Sequence, residues 1–414
     1  MGEVSSNILN IKVLYFQFNV GWAVNIMKIV DIETIEFKTY STVHHHRWGY
    51  QYDFFGPKYE VISSLTRIVT DEGVEGICLG GNKAVTERWI KPLLVGEDPL
   101  DRERLWQWMY SLTRWRVSER MIGVIDMALW DLAGKYFNVP VYKLLGGFRD
   151  RVKAYASSGP NLGTPEDYAD HAEQCRKEGY KGYKIHPYIF YDPVKQEPCP
   201  DTRTFPEWDI EICKAVRERV GDDMVLMFDP WTVGAGGGYS FEEAVWVGRE
   251  LEKLNFYWFE QPLLEDRIEP YVKLCQELKI PILAPEMSVG SFYTRAEWIM
   301  RRAADIIRME CGLGGITAVK KCVDVCEAYG VKCELHGGGF GHLHILGATS
   351  PKICEWYERG LLGPGFDYEK PRPPLKKICD PMDNDGNVLI PQKPGLGMEI
   401  DWDYIEENRV DNKR

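Results

Sequence analysis

Ionisable residues recur in the second half of the chain, each at the point where a short apolar run stops. The runs alternate with helical patterns, and neighbouring run ends lie 22 to 45 residues apart, which leaves room for one strand and one helix. Because the strand ends of a parallel barrel meet at one mouth, we expect these side chains to lie close together. They are Lys184 with His186, Asp229, Glu260, Glu286, Glu310, His336 and Glu358.

Three of these residues, Asp229, Glu260 and Glu286, follow three consecutive runs. Three carboxylates brought together repel one another unless they are protonated or bridged by a cation. Oxygen ligands alone favour Mg²⁺ over Zn²⁺. The sequence therefore predicts a Mg²⁺ site that can bind a carboxylate substrate.

Candidate proton carriers stand on both sides of this site. Lys184 and His186 share one face of a strand, and His336 would lie across the barrel from them. Such groups can remove a proton alpha to a metal-bound carboxylate. We expect nearby cations to lower the pKa of Lys184, and Glu310 to orient the His336 ring. Glu358 is expected to bond to a substrate oxygen.

Less specific interpretations exist for the same residues. The segment GYKGYKIHPY alone is compatible with a solvated edge strand, because Lys is rarely buried without a partner. Any single acid at a strand end is compatible with a solvated turn. The complete series of strand ends is what favours a shared site.

The positions of the elements follow from the apolar pattern. Eight runs after a Pro- and Gly-marked boundary near residue 150 predict parallel strands, crossover helices and a closed barrel. Before that boundary, strand-like alternation begins at Ile29, a turn is expected at residues 71–73, and helical patterns follow. The eight runs are VKAYASS, GYKGYKIH, MVLMFD, NFYWFE, PILAPE, DIIRME, VKCELH and KICEWYE.

Composition restricts the partners of the protein. The chain has 414 residues, 44% of them hydrophobic, with a net charge of -12, which argues against nucleic-acid binding and favours small molecules. We expect no membrane span, because no apolar run is long enough, and we find no signal-peptide pattern. Eleven cysteines without a CxxC pair predict a reducing, cytoplasmic location. Cys322 and Cys326 are read as free thiols, with half of a metal site as the alternative.

Several motifs, in this order, resemble those of the enolase superfamily, in its mandelate racemase-like subgroup. The resemblance extends from about Lys28 to Tyr404. It implies an α/β fold, a modified (β/α)7β TIM-like barrel with an α+β capping domain. The motifs are TDEGVEGICLGG, DMALWDLAGKYFNVPVYKLLGG, YKIH, FDP, FEQPL, PEMS and GLGGIT.

The resemblance also implies a domain organisation. Residues 27–150 would form the first part of the cap, 151–365 the barrel, and 366–414 a tail returning to the cap. Residues 1–26 would be an N-terminal extension, or would precede a start at Met27. A symmetric homo-oligomer is expected.

The family's site residues map onto this sequence with two departures. Its metal ligands correspond to Asp229, Glu260 and Glu286, its second-strand base motif to Lys184 and His186, and its seventh-strand histidine to His336. Glu310 stands where the family usually has aspartate, one methylene shorter, and His186 replaces a second lysine.

The function that the resemblance implies is dehydration of a sugar acid to a 2-keto-3-deoxy acid, with Mg²⁺. The C-terminal tail is most similar to dehydratases that act on pentonates such as arabinonate. His46 and Arg47 in the first cap loop, and Trp231 after Asp229, are expected to contact the substrate. Alternatives are a racemase, epimerase or cycloisomerase using the same residues, and a non-catalytic barrel that binds sugar acids.

Overall fold

The computed structural model describes residues 27–44, 54–112, 116–159, 162–187, 191–192, 197–198, 205–230, 238–363 and 367–410. The expected extension 1–26 and the expected substrate contacts His46, Arg47 and Trp231 lie outside these residues. Among the helices described, none has both the length and the apolar character needed to cross a bilayer.

The described part of the chain begins with a three-stranded antiparallel sheet. Its strands are β1 (Ile29–His44), β2 (Phe54–Thr70) and β3 (Glu75–Leu79), in the order β1-β2-β3. Gly73, with φ of +77°, closes the turn that was predicted between β2 and β3 by donating its N–H to Thr70. Alternation along β1 and β2 buries Ile32 and Ile68 on the inner face, in the main core, and Ile35 and Leu65 on the opposite face, in a second cluster with Ile405.

Helices then cover the inner face of this sheet. In α4, apolar residues at helical spacing pack Ile125, Leu129 and Leu132 into the core. The helix starts at Ser118, whose hydroxyl accepts a backbone N–H of the first turn. The helices are α1 (Lys83–Val85), α2 (Lys91–Leu94), α3 (Arg102–Leu112), α4 (Glu119–Tyr136) and α5 (Val141–Leu144), with a π-helical turn between α1 and α2.

The second part of the chain is a nearly closed parallel barrel, as predicted. Neighbouring strands follow the order β12-β11-β10-β9-β8-β5-β4-β13, and β14 pairs antiparallel with β4. All eight predicted runs contribute a barrel strand, and β6 and β7 form a separate hairpin. The strands are β4 (Arg151–Ser158), β5 (Gly182–Ile185), β6 (Tyr191–Asp192), β7 (Glu197–Pro198), β8 (Val225–Phe228), β9 (Phe259–Glu260), β10 (Ile282–Leu283), β11 (Ile306–Met309), β12 (Lys332–Leu335), β13 (Trp356–Leu362) and β14 (Asn387–Leu389).

Crossover helices surround the barrel. Thr164 with Asp167 and Ser240 with Glu243 form capping boxes at the starts of α6 and α8. The helices are α6 (Pro165–Lys177), α7 (Phe205–Val220), α8 (Phe241–Lys253), α9 (Ile268–Glu277), α10 (Ser291–Arg301), α11 (Gly315–Tyr329) and α12 (Phe340–Gly347). A last helix, α13 (Trp402–Glu407), lies in the C-terminal tail and packs against the first sheet.

The first region is joined to the barrel by specific contacts. Asp126 of α4 accepts the backbone N–H and the hydroxyl of Thr317 at the start of α11, at 2.9 and 2.6 Å. Near the C-terminal end of the described residues, the backbone of Arg409 forms an isolated antiparallel β-bridge with Phe37 of β1. The C-terminal tail therefore returns to the first sheet.

The interior of the barrel is apolar and aromatic at one end and charged at the other. Six buried residues, five from strands and one directly before β9, form a cluster inside it, and Tyr155 packs edge-on against Trp258 at 5.5 Å between ring centroids. The cluster is Tyr155, Met227, Trp258, Leu283, Ile306 and Trp356.

The described cysteines are free, as expected. Cys322 and Cys326 of α11 meet Cys333 of β12, and the three sulfur atoms lie within 4.8 Å of one another. Hydrogen bonds with the neighbouring thiols, together with burial, raise the pKa of Cys326. The raised pKa favours the neutral thiol form of Cys326.

The hydrogen bonds of His344, in α12, lead us to predict that the folded protein is less stable in acid. Its Nδ1 accepts the Tyr142 N–H at 3.1 Å and its Nε2 donates to the Leu396 carbonyl at 3.2 Å, so only the neutral ring satisfies both bonds. Burial lowers the pKa of His344 from 6.5 to about 4. Between these values the unfolded chain binds a proton that the folded chain does not, so stability falls as pH falls through this window.

Urea denaturation of wild type and His344→Gln at pH 7.5 and pH 5 measures this contribution. The variant is expected to lose about 2 kcal/mol less than wild type between the two pH values. Equal losses in the two proteins would contradict the assignment.

Candidate active site

Three carboxylates converge at the charged end of the barrel. Asp229 directly follows β8, Glu260 ends β9, and Glu286 follows β10. These strands are neighbours in the sheet, so their carboxyl ends lie side by side. One carboxylate oxygen from each residue lies within 4.8 Å of the others, and all three side chains are buried. We call these three residues the carboxylate trio.

Two buried cations lie against the trio. Lys184 Nζ lies 3.3 Å from Asp229, 3.0 Å from Glu260 and 2.9 Å from Glu358. Arg308 Nε lies 2.8 Å from Glu260 Oε1, and its Nη2 lies 2.6 Å from Glu358. The cations reduce the repulsion that three adjacent carboxylates would otherwise suffer.

The expectation of a lowered Lys184 pKa is wrong in this structure. Burial by itself would lower the pKa, but the carboxylates of Glu260 and Glu358 hold it well above its ordinary value. The acids that surround the amine lie in or directly after strands distant in sequence, so their proximity to Lys184 is not visible in the local sequence. Lys184 is therefore an ammonium in this arrangement, and its contacts favour a role in charge balance.

His186 lies on one side of the trio. Its Nδ1 contacts the Ser158 carbonyl at 2.6 Å, and its Nε2 contacts Asp229 Oδ2 at 3.0 Å. Tyr168 donates its hydroxyl to the His186 carbonyl, which fixes the backbone at the end of β5. With a proton on Nδ1 shared with Ser158, the ring directs Nε2 towards the trio.

His336 lies on the other side of the trio. Its Nδ1 bonds to Glu310 Oε2 at 2.8 Å, and its Nε2 lies 3.3 Å from Glu286 Oε1. Although burial opposes charge on the ring, Glu286 and Glu310 raise the pKa of His336 to about 9. The longer Glu310 side chain thus reaches the histidine, and this hydrogen bond outweighs burial and lowers the pKa of Glu310 to about 2.

Glu358 lies beneath the trio. Its Oε1 pairs with Lys184, and its Oε2 accepts from Arg308 and from the Gly337 N–H at 2.7 Å. Burial would raise the pKa of Glu358, but Lys184 and Arg308 hold it well below its ordinary value. Both oxygens already have partners, so the structure favours charge balance over the predicted bond to substrate.

Sequence reasoning missed Arg308. This residue lies inside the apolar run DIIRME, two positions before Glu310, so the two side chains share one face of β11. A basic residue within a buried run, in register with a candidate site residue, was the signal that could have identified it.

The trio fits a divalent cation. Its donors are all carboxylate oxygens, the set that Mg²⁺ prefers. Glu286 Oε2 is buried and has no hydrogen-bond partner among the described residues. Burial also raises the pKa of Glu286, and an adjacent cation would favour its ionised form.

Comparison with known proteins agrees with this geometry. The chain is 33% identical over 365 residues to the arabinonate dehydratase of Saccharolobus solfataricus, covering 83% of this chain and 89% of that protein. It is 29% identical over 368 residues to the D-galactarolactone cycloisomerase of Agrobacterium fabrum, with coverages of 84% and 91%.

A solved structure is also similar over almost the whole chain. The D-glucarate dehydratase from Agrobacterium tumefaciens, complexed with magnesium, has a TM-score of 0.85 and 40% identity, covering 92% of this chain and 99% of that one. Residues 60–146 match the mandelate racemase/muconate lactonizing enzyme N-terminal domain, and residues 167–404 match the enolase C-terminal domain-like family. Two domain matches in this order, over a barrel with a carboxylate trio at its mouth, show that the chain belongs to the enolase superfamily.

Proposed function

We propose that this protein is a Mg²⁺-dependent dehydratase of a sugar acid. The observation that carries the proposal is the placement of two histidines on the two sides of the carboxylate trio. His186 Nε2 lies 3.0 Å from Asp229, and His336 Nε2 lies 3.3 Å from Glu286. Proton removal and proton delivery can therefore occur on opposite sides of one bound substrate.

Asp229, Glu260 and Glu286 would hold the metal. A divalent cation there supplies a Lewis acid that binds the substrate carboxylate and stabilises the charge that develops when the alpha proton leaves. Lys184 and Arg308 add fixed positive charge beside Glu260. This charge would further favour a negatively charged substrate.

The two histidines would divide the proton transfers. With Asp229 engaged as a metal ligand, His186, whose Nδ1 proton is directed to the Ser158 carbonyl, would accept the alpha proton at Nε2, and the electrons of the C–H bond would pass into the substrate carboxylate. These electrons then form the double bond between the alpha and beta carbons as the beta C–O bond breaks, and His336 donates its Nε2 proton to the departing hydroxyl, which leaves as water. The enol that remains tautomerises to the 2-keto-3-deoxy acid.

The raised pKa of His336 supports its assignment as the acid. A ring with a pKa of about 9 carries a proton at neutral pH. Glu310, at 2.8 Å, orients the ring and stabilises its charge.

The solvated-edge interpretation of the Lys184 and His186 strand is wrong, because both side chains are buried.

The relatives guide the choice of substrate. Arabinonate and glucarate are the first compounds to test. The relative at 33% identity is named as an arabinonate dehydratase, and the solved structure at 40% identity is that of a D-glucarate dehydratase. The pentonate substrate predicted from the sequence is represented by arabinonate. The galactarolactone cycloisomerase relative supports cycloisomerisation as the second candidate function.

A panel of aldonates and aldarates tests the proposal. With Mg²⁺, we expect one or more sugar acids to yield a 2-keto acid, detected with semicarbazide, and EDTA to abolish the reaction. Formation of an isomer of unchanged mass, without any 2-keto acid, would show that the reaction is cycloisomerisation or epimerisation and not dehydration. A melting temperature raised by Mg²⁺ and a sugar acid, without turnover of any compound, would favour a binding protein.

A further inference from the structure

One loop carries the last member of the carboxylate trio. Residues 285–291, which we call the ligand loop, lead from the end of β10 to the first residue of α10 and include Glu286. Three successive N–H groups of this loop point to the carboxylate of Glu265. Glu265 Oε1 accepts from Glu286 at 2.6 Å, and Oε2 accepts from Met287 and Ser288 at 2.8 and 2.9 Å.

The carbonyl groups of the ligand loop accept hydrogen bonds from the guanidinium of Arg295. Arg295, fully buried in α10, donates from Nη2 to the carbonyls of Glu286 and Pro285, at 2.9 and 3.4 Å. Its Nη1 donates to the carbonyl of Ser288. The N–H groups of the backbone around Glu286 therefore bond to the Glu265 carboxylate, and its carbonyl groups bond to the Arg295 guanidinium.

Glu265 also contacts the segment that carries the second trio member. Gln261 directly follows Glu260, has a φ of +43°, and donates its Nε2 to Glu265 Oε1 at 3.2 Å. One carboxylate thus links the side chain of Gln261, the residue after Glu260, with the backbone N–H of Glu286. A shift of Glu265 would change the separation of two trio members at once.

The far end of the ligand loop is held from the first region of the chain. Glu119, the first residue of α4, accepts the N–H groups of Gly290 and Ser291 at 2.8 and 3.2 Å. This contact is more remote from Glu286 than the three bonds to Glu265. It provides a comparison within the same loop.

We propose that Glu265 is a positioning residue for the metal site. Together with Arg295, which bonds to the carbonyls of the ligand loop, Glu265 fixes this loop so that the Glu286 carboxylate points to the site of the divalent metal ion. This inference rests on the proposed function. Charged hydrogen bonds to backbone N–H groups are strong, and hydrogen-bond partners behind a metal ligand tune affinity without touching the metal.

Calorimetric titration of the full-length protein with MgCl₂ tests the inference. In Glu265→Gln, an amide NH₂ replaces one acceptor and faces a backbone N–H, so the ligand loop loses part of its anchoring. The Mg²⁺ Kd is expected to weaken by about 10- to 100-fold. Saturating Mg²⁺ should restore kcat towards wild type, because Glu265 does not take part in proton transfer.

Glu252→Gln is the matched control. Glu252 also accepts two successive backbone N–H groups, from Lys279 and Ile280, but at the opposite end of β10. Its replacement should leave the Mg²⁺ Kd unchanged. Glu119→Gln should weaken Mg²⁺ binding less than Glu265→Gln.

The outcomes separate this inference from the proposed function. Equal Mg²⁺ affinity in wild type and Glu265→Gln, or equal weakening in Glu252→Gln, would overturn the positioning role and leave the proposed function intact. Absence of Mg²⁺ binding by wild type would overturn both. If the Gln variant does not fold, Glu265→Asp keeps the charge but shortens the reach, and unchanged affinity in that variant would overturn the inference.

Discussion

Glu286→Gln is expected to lower kcat by about 10³-fold or more, since the Lewis acid accounts for several kcal/mol of the barrier. The substitution removes one charge from the carboxylate trio and changes the side chain whose Oε2 has no hydrogen-bond partner among the described residues. Mg²⁺ binding should weaken beyond the roughly 10- to 100-fold typical of outer-shell changes. Turnover of the sugar acid found in the panel and calorimetric Mg²⁺ titration provide the measurements.

Glu334→Gln is the control for replacing a buried glutamate. Glu334 lies in β12, and its two carboxylate oxygens accept the N–H groups of Glu355 and Trp356. We expect its Mg²⁺ Kd and kcat to stay within a few-fold of wild type. A Glu286→Gln protein that binds Mg²⁺ as tightly as wild type would remove Glu286 from the proposed ligand set.

The second large effect is expected for His336→Asn. Loss of a general acid typically costs about 10²- to 10⁴-fold, and the affected step is departure of the beta-hydroxyl. Exchange of the alpha proton with solvent deuterium should continue, because His186 remains. The reverse substitution, His186→Asn, should abolish both exchange and keto-acid formation, as NMR in D₂O would show.

His171→Asn serves as the control for these histidine variants. His171 is buried on α6, where its Nδ1 bonds to the Tyr183 hydroxyl outside the barrel. Its replacement should leave exchange and elimination intact. If instead His336→Asn loses exchange and His186→Asn retains it, the two proton-transfer roles must be interchanged.

Glu310→Gln tests the pairing of Glu310 with His336 through the pH dependence of kcat. Wild-type kcat is expected to fall as pH rises through about 9, where His336 loses its proton. Removing the negative charge at 2.8 Å lowers the pKa of His336, so the fall should begin at lower pH in the variant. An unchanged profile would show that Glu310 does not influence the titrating group.

Much of the fold could be predicted because burial imposes a pattern on local sequence. Each barrel strand appears as an apolar run, and the turn at Gly73 and the boundary before β4 carry Gly and Pro. The capping boxes at Thr164 and Ser240 are likewise local. The (β/α) order then permits few arrangements other than a parallel barrel.

The arrangement of the cysteines depended on contacts between distant elements. Cys322 and Cys326 are visible as a helical pair, but Cys333 comes from β12 and reaches the same place only in the folded chain. No spacing rule connects the three positions. The same limitation applies to Glu265 and Arg295, which lie in different elements on either side of the ligand loop.

The sequence by itself determined which residues meet: Asp229, Glu260 and Glu286 had to converge once parallel strands were recognised, because strand ends of a barrel share one mouth. Only the tertiary structure decided the state of each group. Lys184 is held as an ammonium by acids from three other strands, and Arg308 enters the site from within an apolar run. The charge of a buried group depends on its neighbours within a few ångströms, and these come from distant parts of the chain.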